Sequence, residues 1–259
     1  MKRRERLDRL LVDKGLVQSR ERAKTVILAG MVMVGDRVVD KAGTLVNSDS
    51  QIRVKGGDHP YVSRGGLKLE EALRGFHVDP KGKVSMDIGA STGGFTDCLL
   101  QKGAKRVYAV DVGYGQLAWR LRNDPRVVNI ERKNIRYLKP QEIGQRVDLV
   151  VIDTSFISVE KFLPNVVPMI REGGEIVVLL KPQFEVGKEE VGKGGVVRDK
   201  RKHQQVLDRI SRFSESIGLK VRGSMGSPLL GPKGNREFFI YLEKIPKVQK
   251  GHMRIHPFG

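Results

Sequence analysis

The chain has 259 residues, enough for one large domain or a large and a small one, with 48 Lys and Arg against 30 Asp and Glu and a formal net charge of +18. Such an excess favours a polyanionic partner, either nucleic acid or an anionic membrane. One cysteine excludes an internal disulfide and a cysteine-based metal site; no apolar run approaches the ~18 residues of a membrane span, and the charged start Met1–Asp8 lacks the apolar core of a signal peptide, so a soluble, cytoplasmic, nucleic-acid-binding protein is expected.

Residues 1–57 read as a small α+β module. Leu7, Leu10 and Leu11 recur at helical spacing up to Gly15; a second helix, capped by Ser19, turns Ala23, Val26, Ile27 and Ala29 inward until Gly30. Arg20, Arg22 and Lys24 stay on its outer side. Met31–Val34, the turn Gly35-Asp36 and Val38-Val39 predict a hairpin, and Gln51–Val54 one more strand. Arg6-Leu-Asp-Arg-Leu-Leu11, Ser19-Arg-Glu-Arg-Ala-Lys24 and Gly30-x-Val-x-Val34 resemble the RNA-binding module named after ribosomal small-subunit protein S-four. The resemblance makes Arg4, Arg6, Arg20, Arg22 and Lys24 RNA-contact candidates. To residue 60 there are 13 Lys/Arg and 8 Asp/Glu, a net of +5. A solvated helical hairpin without a partner would look similar.

Gly56–Pro60 has linker composition, and 58–61 is taken as the linker before a second domain at 62–245. Ser63–Phe76 predicts a helix with Leu69, Ala72, Leu73 and Phe76 inward. Val84, Met86 and Ile88 form a buried strand that ends in a glycine turn at Gly89, Gly93 and Gly94, followed by a helix carrying Phe95, Cys98, Leu99 and Leu100. A second strand, Arg106–Asp111, ends in the acid that a nucleotide-binding sheet sets against a ribose diol. The spacing is Gly89-x-x-x-Gly93-Gly94 rather than G-x-G-x-x-G, and with Asp87 before it the pattern resembles the S-adenosylmethionine site of class I methyltransferases. Asp87, Gly89, Ser91, Gly93, Gly94 and Phe95 are the turn's candidate cofactor contacts, with Asp111 for the ribose hydroxyls and Asn134 for the adenine edge. A plain tight turn between strand and helix is the alternative.

The rest alternates as a doubly wound sheet requires. A short helix is expected over 115–121, strands at Val127–Ile130 and Val147–Ile152, a helix from Val159 to Arg171, a strand at Glu175–Leu180, a mobile loop from Glu185 to Arg201, a helix from Lys202 to Ile217, and closing strands at Lys220–Gly223 and Arg236–Leu242. The tail 246–259 resembles nothing else; its Gly251-His-Met reads as a cloning remnant. Lys102–Arg146 holds eleven Lys/Arg and four acids. Arg120, Arg132, Lys133 and Arg136 (with Arg122 and Arg126) would flank the ligand crevice and hold nucleic-acid phosphates, as would Arg64.

Lys68 on its helix, Asp153 and Lys181 at the ends of apolar strands, and Glu237 at the last strand sit where a reactive crevice would need them. Each alone is usually just a charge where a strand meets water. Together they resemble the K-D-K-E set of FtsJ-type 2′-O-ribose methyltransferases. Tyr61-Val-Ser-Arg-Gly-Gly-x-Lys68, Asp87–Thr96, Asp111–Leu117, Asp153-Thr-Ser-Phe-Ile-Ser158, Leu180–Glu185 and Gly234-Asn-x-Glu237 extend the likeness over 1–245 to the TlyA family of ribosomal-RNA methyltransferases, also called haemolysins. That resemblance implies a Rossmann-like α/β fold with a seven-stranded, mostly parallel sheet behind an S4-like domain. It also implies S-adenosylmethionine as methyl donor, and ribosomal RNA or ribosomal subunits as partner with no obligatory protein partner. Methylation would fall on ribose 2′-hydroxyls, chiefly of cytidine. Lys181 would be the base, with no metal required. A free lysine, pKa ~10.4, is charged at neutral pH, so burial and the neighbouring cation Lys68 would have to lower it. Asp153 and Glu237 would orient the lysines and the ribose.

Three rivals are weaker. Base methylation lacks both prolines of the amino-methyltransferase signature at Asp153-Thr-Ser-Phe156, and Cys98 sits at a core position. A membrane-active haemolysin has no supporting apolar helix. A non-catalytic RNA-binding assembly factor would not need the four charged residues intact.

Overall fold

The computed structural model describes residues 4–17, 19–28, 30–54 and 59–246. Ala29, most of the Gly56–Pro60 stretch and the tail beyond residue 246 lie outside these. The chain divides into two compact units, Met1–Pro60 and Tyr61–Gly259.

In the first unit β1 (Arg4–Arg6) leads into α1 (Leu7–Asp13) and α2 (Arg20–Leu28); β2 (Val32–Val34), β3 (Arg37–Val38), β4 (Leu45–Asn47) and β5 (Ile52–Val54) follow. Leu7, Leu10 and Leu11 of α1 and Ala23, Val26 and Ile27 of α2 are buried against Val17, Val32, Val46 and Ile52. Ser19 Oγ accepts the Arg22 N–H at 3.1 Å and so caps α2. Gly15 and Gly30, at φ +64° and +65°, reverse the chain after the two helices. The predicted hairpin is β2–β3, pairing Val34 with Arg37, and β5 lies on β2's other side. The pairing of β1 with β4 was not expected: Arg4-Glu-Arg6 carries no apolar alternation to announce a strand.

The second unit opens with α3 (Gly65–Gly75), β6 (Val84–Ile88), α4 (Gly94–Gln101), β7 (Arg106–Val110), α5 (Trp119–Arg122) and β8 (Val127–Ile130). It continues with α6 (Pro140–Ile143), β9 (Val147–Ile152), α7 (Leu163–Val166), β10 (Ile170–Leu180), α8 (Pro182–Glu185), α9 (Lys200–Ser216), β11 (Leu219–Gly226) and β12 (Phe238–Lys244). One seven-stranded sheet runs in the order β11-β12-β10-β9-β6-β7-β8, with β12 antiparallel to both its neighbours and the other registered pairs parallel. Alternate residues of β9 face opposite layers. Leu149 and Val151 pack with Leu69, Leu73 and Leu99 of α3 and α4, and Val150 and Ile152 with Phe162, Val206 and Ile210 on the other face. Burial on both faces explains the unbroken apolar runs Leu149–Ile152 of β9 and Ile176–Leu180 of β10. The chain order reverses between β6 and β9, and the ends of these two strands form the crevice where such sheets bind ligands.

Three local expectations change. The helix foreseen over 159–171 is α7 flanked by single turns, because Pro164 and Pro168 each remove an amide donor and break a longer helix; β10 then begins at Ile170, with a register shift before Glu175. The helix over 115–121 shrinks to the single turn of α5. The 185–201 segment, expected as a mobile loop, is fastened: Val196 and Val197 are buried, Asn235 Oδ1 accepts the Val197 N–H at 3.1 Å, and Asn235 Nδ2 donates to the Gly195 carbonyl at 2.9 Å.

Candidate active site

The turn after β6 is shaped by contacts that exclude side chains. Gly89 has φ +84°, and a Cβ there would sit 2.4 Å from the Asp153 carbonyl oxygen. Gly93, at φ +96°, precedes α4, and a Cβ would meet Leu121 Cδ1 at 2.3 Å. Ser91 also adopts a positive φ, +48°, and its N–H donates to Asp111 Oδ2 at 2.8 Å; the Gly113 N–H donates to Asp111 Oδ1 at 2.7 Å. Both Asp111 oxygens are thus fixed from behind, and each keeps a lone pair for a further donor. Asp87 is fully buried. Thr96 donates its N–H and O–H to Asp87 Oδ2 at 2.8 and 2.7 Å, which ties the end of β6 to the first turn of α4. Burial pushes the Asp87 carboxyl up to about 7, the Thr96 hydrogen bonds oppose this, and the Asp153 charge adds to the rise.

Two hollows meet at this turn. The larger, about 600 Å³, is lined by Asp111, Gln116, Lys133, Asn134, Arg136 and the 153–157 loop, with Gly89 and Ser91 at its base. The smaller, about 290 Å³, is lined by Ser63, Arg64, Lys68, Gly94, Phe95, Leu230 and Gly231. Gly89, Ser91 and Asp153 belong to both and form the wall between them. Of the expected cofactor contacts, Gly89, Ser91, Asp111 and Asn134 line the larger hollow, Gly94 and Phe95 only the smaller, and Asp87 and Gly93 neither; the last two shape the turn from behind. Asn134 Oδ1 also accepts the Arg136 N–H at 3.0 Å, capping a one-turn helix.

The four charged residues form two ion pairs. Lys181 Nζ lies 2.6 Å from Asp153 Oδ1, off the hydrogen-bond direction, and donates its directed bond to Ser155 Oγ at 2.9 Å. Lys68 Nζ lies 2.5 Å from Glu237 Oε2, whose carboxylate is fully buried. A carboxylate therefore stands beside Lys181, and Lys68 has a carboxylate partner of its own. Glu237 Oε1 has no hydrogen-bond partner, and a Cβ at Gly231 would come within 2.0 Å of it, so only glycine fits there.

The basic candidates divide by partner. In the first unit Asp8 gathers Arg6 at 3.0 and 3.1 Å and Arg20 at 2.9 Å; these bonds, from Arg6 first, hold its carboxyl down at about 2 against the opposing effect of burial. Both arginines remain half exposed, and Arg4 and Lys24 are exposed. Arg22 lies 3.2 Å from the His59 ring nitrogens. In the second unit Arg120, Arg122, Arg126 and Lys133 pair with Asp97, Glu131, Asp124 and Glu142. Arg132 and Arg136 instead lie over exposed rings, 4.0 Å from the Tyr114 centroid and 5.5 Å from that of Tyr137. Arg64 is exposed at the smaller hollow. Sequence reasoning gave Ser155 and Phe156 no role, although both lie within the quoted Asp153–Ser158 motif, and missed Gly231 altogether. A loop glycine forms no pattern, and only their neighbours reveal what these three residues do.

Residues 61–244 match the family described as FtsJ-like methyltransferase, and residues 5–52 match the S4 domain. Among similar proteins, the 16S/23S rRNA (cytidine-2'-O)-methyltransferase TlyA of Mycobacterium tuberculosis is 47% identical over 243 residues, covering 93% of this chain and 91% of that protein. Hemolysin A of Brachyspira hyodysenteriae is 40% identical, covering 91% and 98%. The solved structure described as "Putative hemolysin from Streptococcus thermophilus" superposes with a TM-score of 0.74 at 43% identity, over 95% of this chain and 90% of that one. Among the described residues, no helix is long and apolar enough to cross a membrane.

Proposed function

The chain belongs to the FtsJ-like methyltransferase family, whose donor is S-adenosylmethionine, and from that premise we propose that it methylates the ribose 2′-oxygen of ribosomal RNA at cytidine. The single observation that carries this reading is the shared wall. Asp153 borders both hollows and holds Lys181, which itself lines neither, at 2.6 Å, so a basic amine stands directly against the wall on whose two sides a donor and a hydroxyl would lie.

The residues present fit the donor. Asp111, fixed by two backbone N–H groups, offers lone pairs to a ribose diol, and Gly89 and Ser91 let the turn approach closely. Bound S-adenosylmethionine supplies a methyl group on a sulfonium. The chain's own work is positioning, since in-line displacement needs the hydroxyl aligned and its proton removed. Lys181 takes that proton onto Nζ as the oxygen–carbon bond forms. Asp153 balances the resulting ammonium, and the Lys68–Glu237 pair orients the ribose from the smaller hollow. Arg64, Arg132 and Arg136 hold flanking phosphates and bases, and the S4-like unit, with Arg4, Arg6, Arg20, Arg22 and Lys24, binds the RNA independently of the chemistry.

The test is transfer of labelled methyl from S-adenosylmethionine to separate small and large ribosomal subunits lacking modification, followed by nuclease mapping. Label on a ribose 2′-oxygen of a cytidine supports the reading. Label on a base sinks the 2′-O assignment, and cofactor binding without transfer to either subunit sinks ribosomal RNA as the substrate.

A further inference from the structure

We propose that Ser155 is a positioning residue that aims the lone pair of the base Lys181 at the ribose hydroxyl. The proposal rests on the reading of Lys181 as the base.

A lysine amine turns freely about its Cε–Nζ bond unless its N–H groups are engaged. Here its directed bond goes to Ser155 Oγ at 2.9 Å, while Asp153 Oδ1 stands 2.6 Å away, off the hydrogen-bond direction. A neutral amine has two N–H groups and one lone pair. The bond to Ser155 fixes the rotation about Cε–Nζ, the Asp153 charge favours the second N–H on its side, and the lone pair is left in the remaining tetrahedral position. After proton transfer the new N–H takes that same position, while the bond to Ser155 persists. Asp153 alone would leave the amine free to rotate, and the lone pair would sample orientations away from the substrate.

Ser155 is mounted to do this. It lies on the 153–159 loop, which leaves β9 at one end and is clasped at the other by the helix that follows Lys181. The Val159 N–H donates to Glu185 Oε1 at 3.1 Å, and the Phe156 ring rests on Phe184 at 4.8 Å. Glu185 is itself buried, with its carboxyl pushed up by that burial, and Arg209 Nη2 lies 3.3 Å from its Oε2. Phe156 adopts φ +67°, a strained conformation for a bulky side chain that persists only where the surroundings impose it. Base and serine are therefore carried by one braced assembly of β9, the loop and α8. The charged group against Lys181 is Asp153, just after β9, and the Asp153 charge is felt in turn by the buried Asp87 carboxyl on β6.

Two variants of the full chain test the proposal. Ser155 is exposed, so S155A and S155T should both fold. In single-turnover methyl transfer, S155A should lose about 10- to 100-fold in rate, the order expected for a misdirected catalytic group, with S-adenosylmethionine Kd and RNA KM within about twofold of wild type. S155T, which restores the hydroxyl, should recover most of the rate. Independently of turnover, competitive acetylation read lysine by lysine should show the pH–reactivity curve of Lys181 displaced in S155A and restored in S155T. Exposed Lys105 should be unchanged in all three proteins. An S155A enzyme as fast as wild type, one slowed only through weaker cofactor or RNA binding, or an unmoved Lys181 curve would each overturn the proposal. Wild-type label absent from ribose would instead remove the assigned base, a failure visible in the wild-type lane alone.

Discussion

Two aspartates, one in each unit, are equally hidden from water and behave in opposite ways. Asp8 is encircled by Arg6 and Arg20, and its carboxyl is held at about 2; Asp87 has only Thr96 as donor, and its carboxyl rises to about 7. Burial favours the neutral acid in both cases and dominates at the deeper Asp87, whereas at Asp8 the hydrogen bonds from Arg6 outweigh it. The first unit uses its buried carboxylate as architecture, a clasp that joins β1, α1 and α2 and leaves the arginine faces half exposed. The second leaves Asp87 without a cation partner and sets lysines against Asp153, in the wall between the two hollows, and against Glu237, which is buried against Gly231.

The largest effect should come from breaking the functional side of this contrast. Lys181→Ala should lower methyl transfer by about 10²–10⁴-fold, the usual worth of a general base, while calorimetry shows Tm nearly unchanged and titration shows S-adenosylmethionine still bound. Asp8→Ala should do the reverse. Denaturant unfolding should show a loss of about 2–3 kcal/mol confined to the first unit, since both arginines and the Arg9 N–H lose a buried partner, with turnover retained at saturating RNA.

Stability against pH sharpens the comparison further. The Asp8 pKa is depressed from 3.8, so its contribution is complete above about pH 4 and lost as pH falls toward 2; allowing for solvent screening around the half-exposed arginines, it amounts to about 1–2 kcal/mol. The Asp87 pKa is raised from 3.8, so the native state binds the extra proton and stability falls as pH rises from about 4 to about 7, by an amount on the order of 1–4 kcal/mol. Asp87→Asn, which keeps an acceptor for Thr96, should flatten the unfolding free energy across that window. A flat wild-type curve would refute the assignment. The smallest effect belongs to the surface: Arg132→Ala should weaken RNA binding severalfold and reduce the salt slope of log K by about one, measured by filter binding at several ionic strengths.

Strands β9 and β10 were legible because burial on both faces leaves Leu149–Ile152 and Ile176–Leu180 without a polar residue to confuse the pattern, and the turn after β6 because of the spacing of its glycines. β1 was not legible, being three polar residues held by Asn47, Val46 and Leu45 across the pairing. The 159–171 helix was misjudged because its apolar residues outweighed Pro164 and Pro168, whose missing amides decide the backbone. Of the site, Lys68, Asp153, Lys181 and Glu237 stood out by their positions around the sheet and as a set; taken singly, each was only a charge that meets water. How they pair was closed to the sequence. Lys68 and Glu237 are 169 positions apart, and their pairing gives Lys68 a buried carboxylate partner that sequence spacing could not assign. The basic stretch 102–146 looked like one phosphate-binding face, yet four of its six named cations hold carboxylates of their own, which local composition cannot reveal.

The thin wall of Gly89, Ser91 and Asp153 has a consequence for inhibition. Two modest hollows separated by a backbone turn invite a single compound with one arm in each, a nucleoside in the larger and a ribose-like group in the smaller. Neither arm need bind tightly. A short tether across the wall makes the second arm's binding intramolecular, at an effective concentration that reaches millimolar for short linkers, and the gain vanishes once the tether fails to span the gap. Selectivity for such a compound would come from Gly231, whose missing side chain leaves the smaller hollow open beside Glu237.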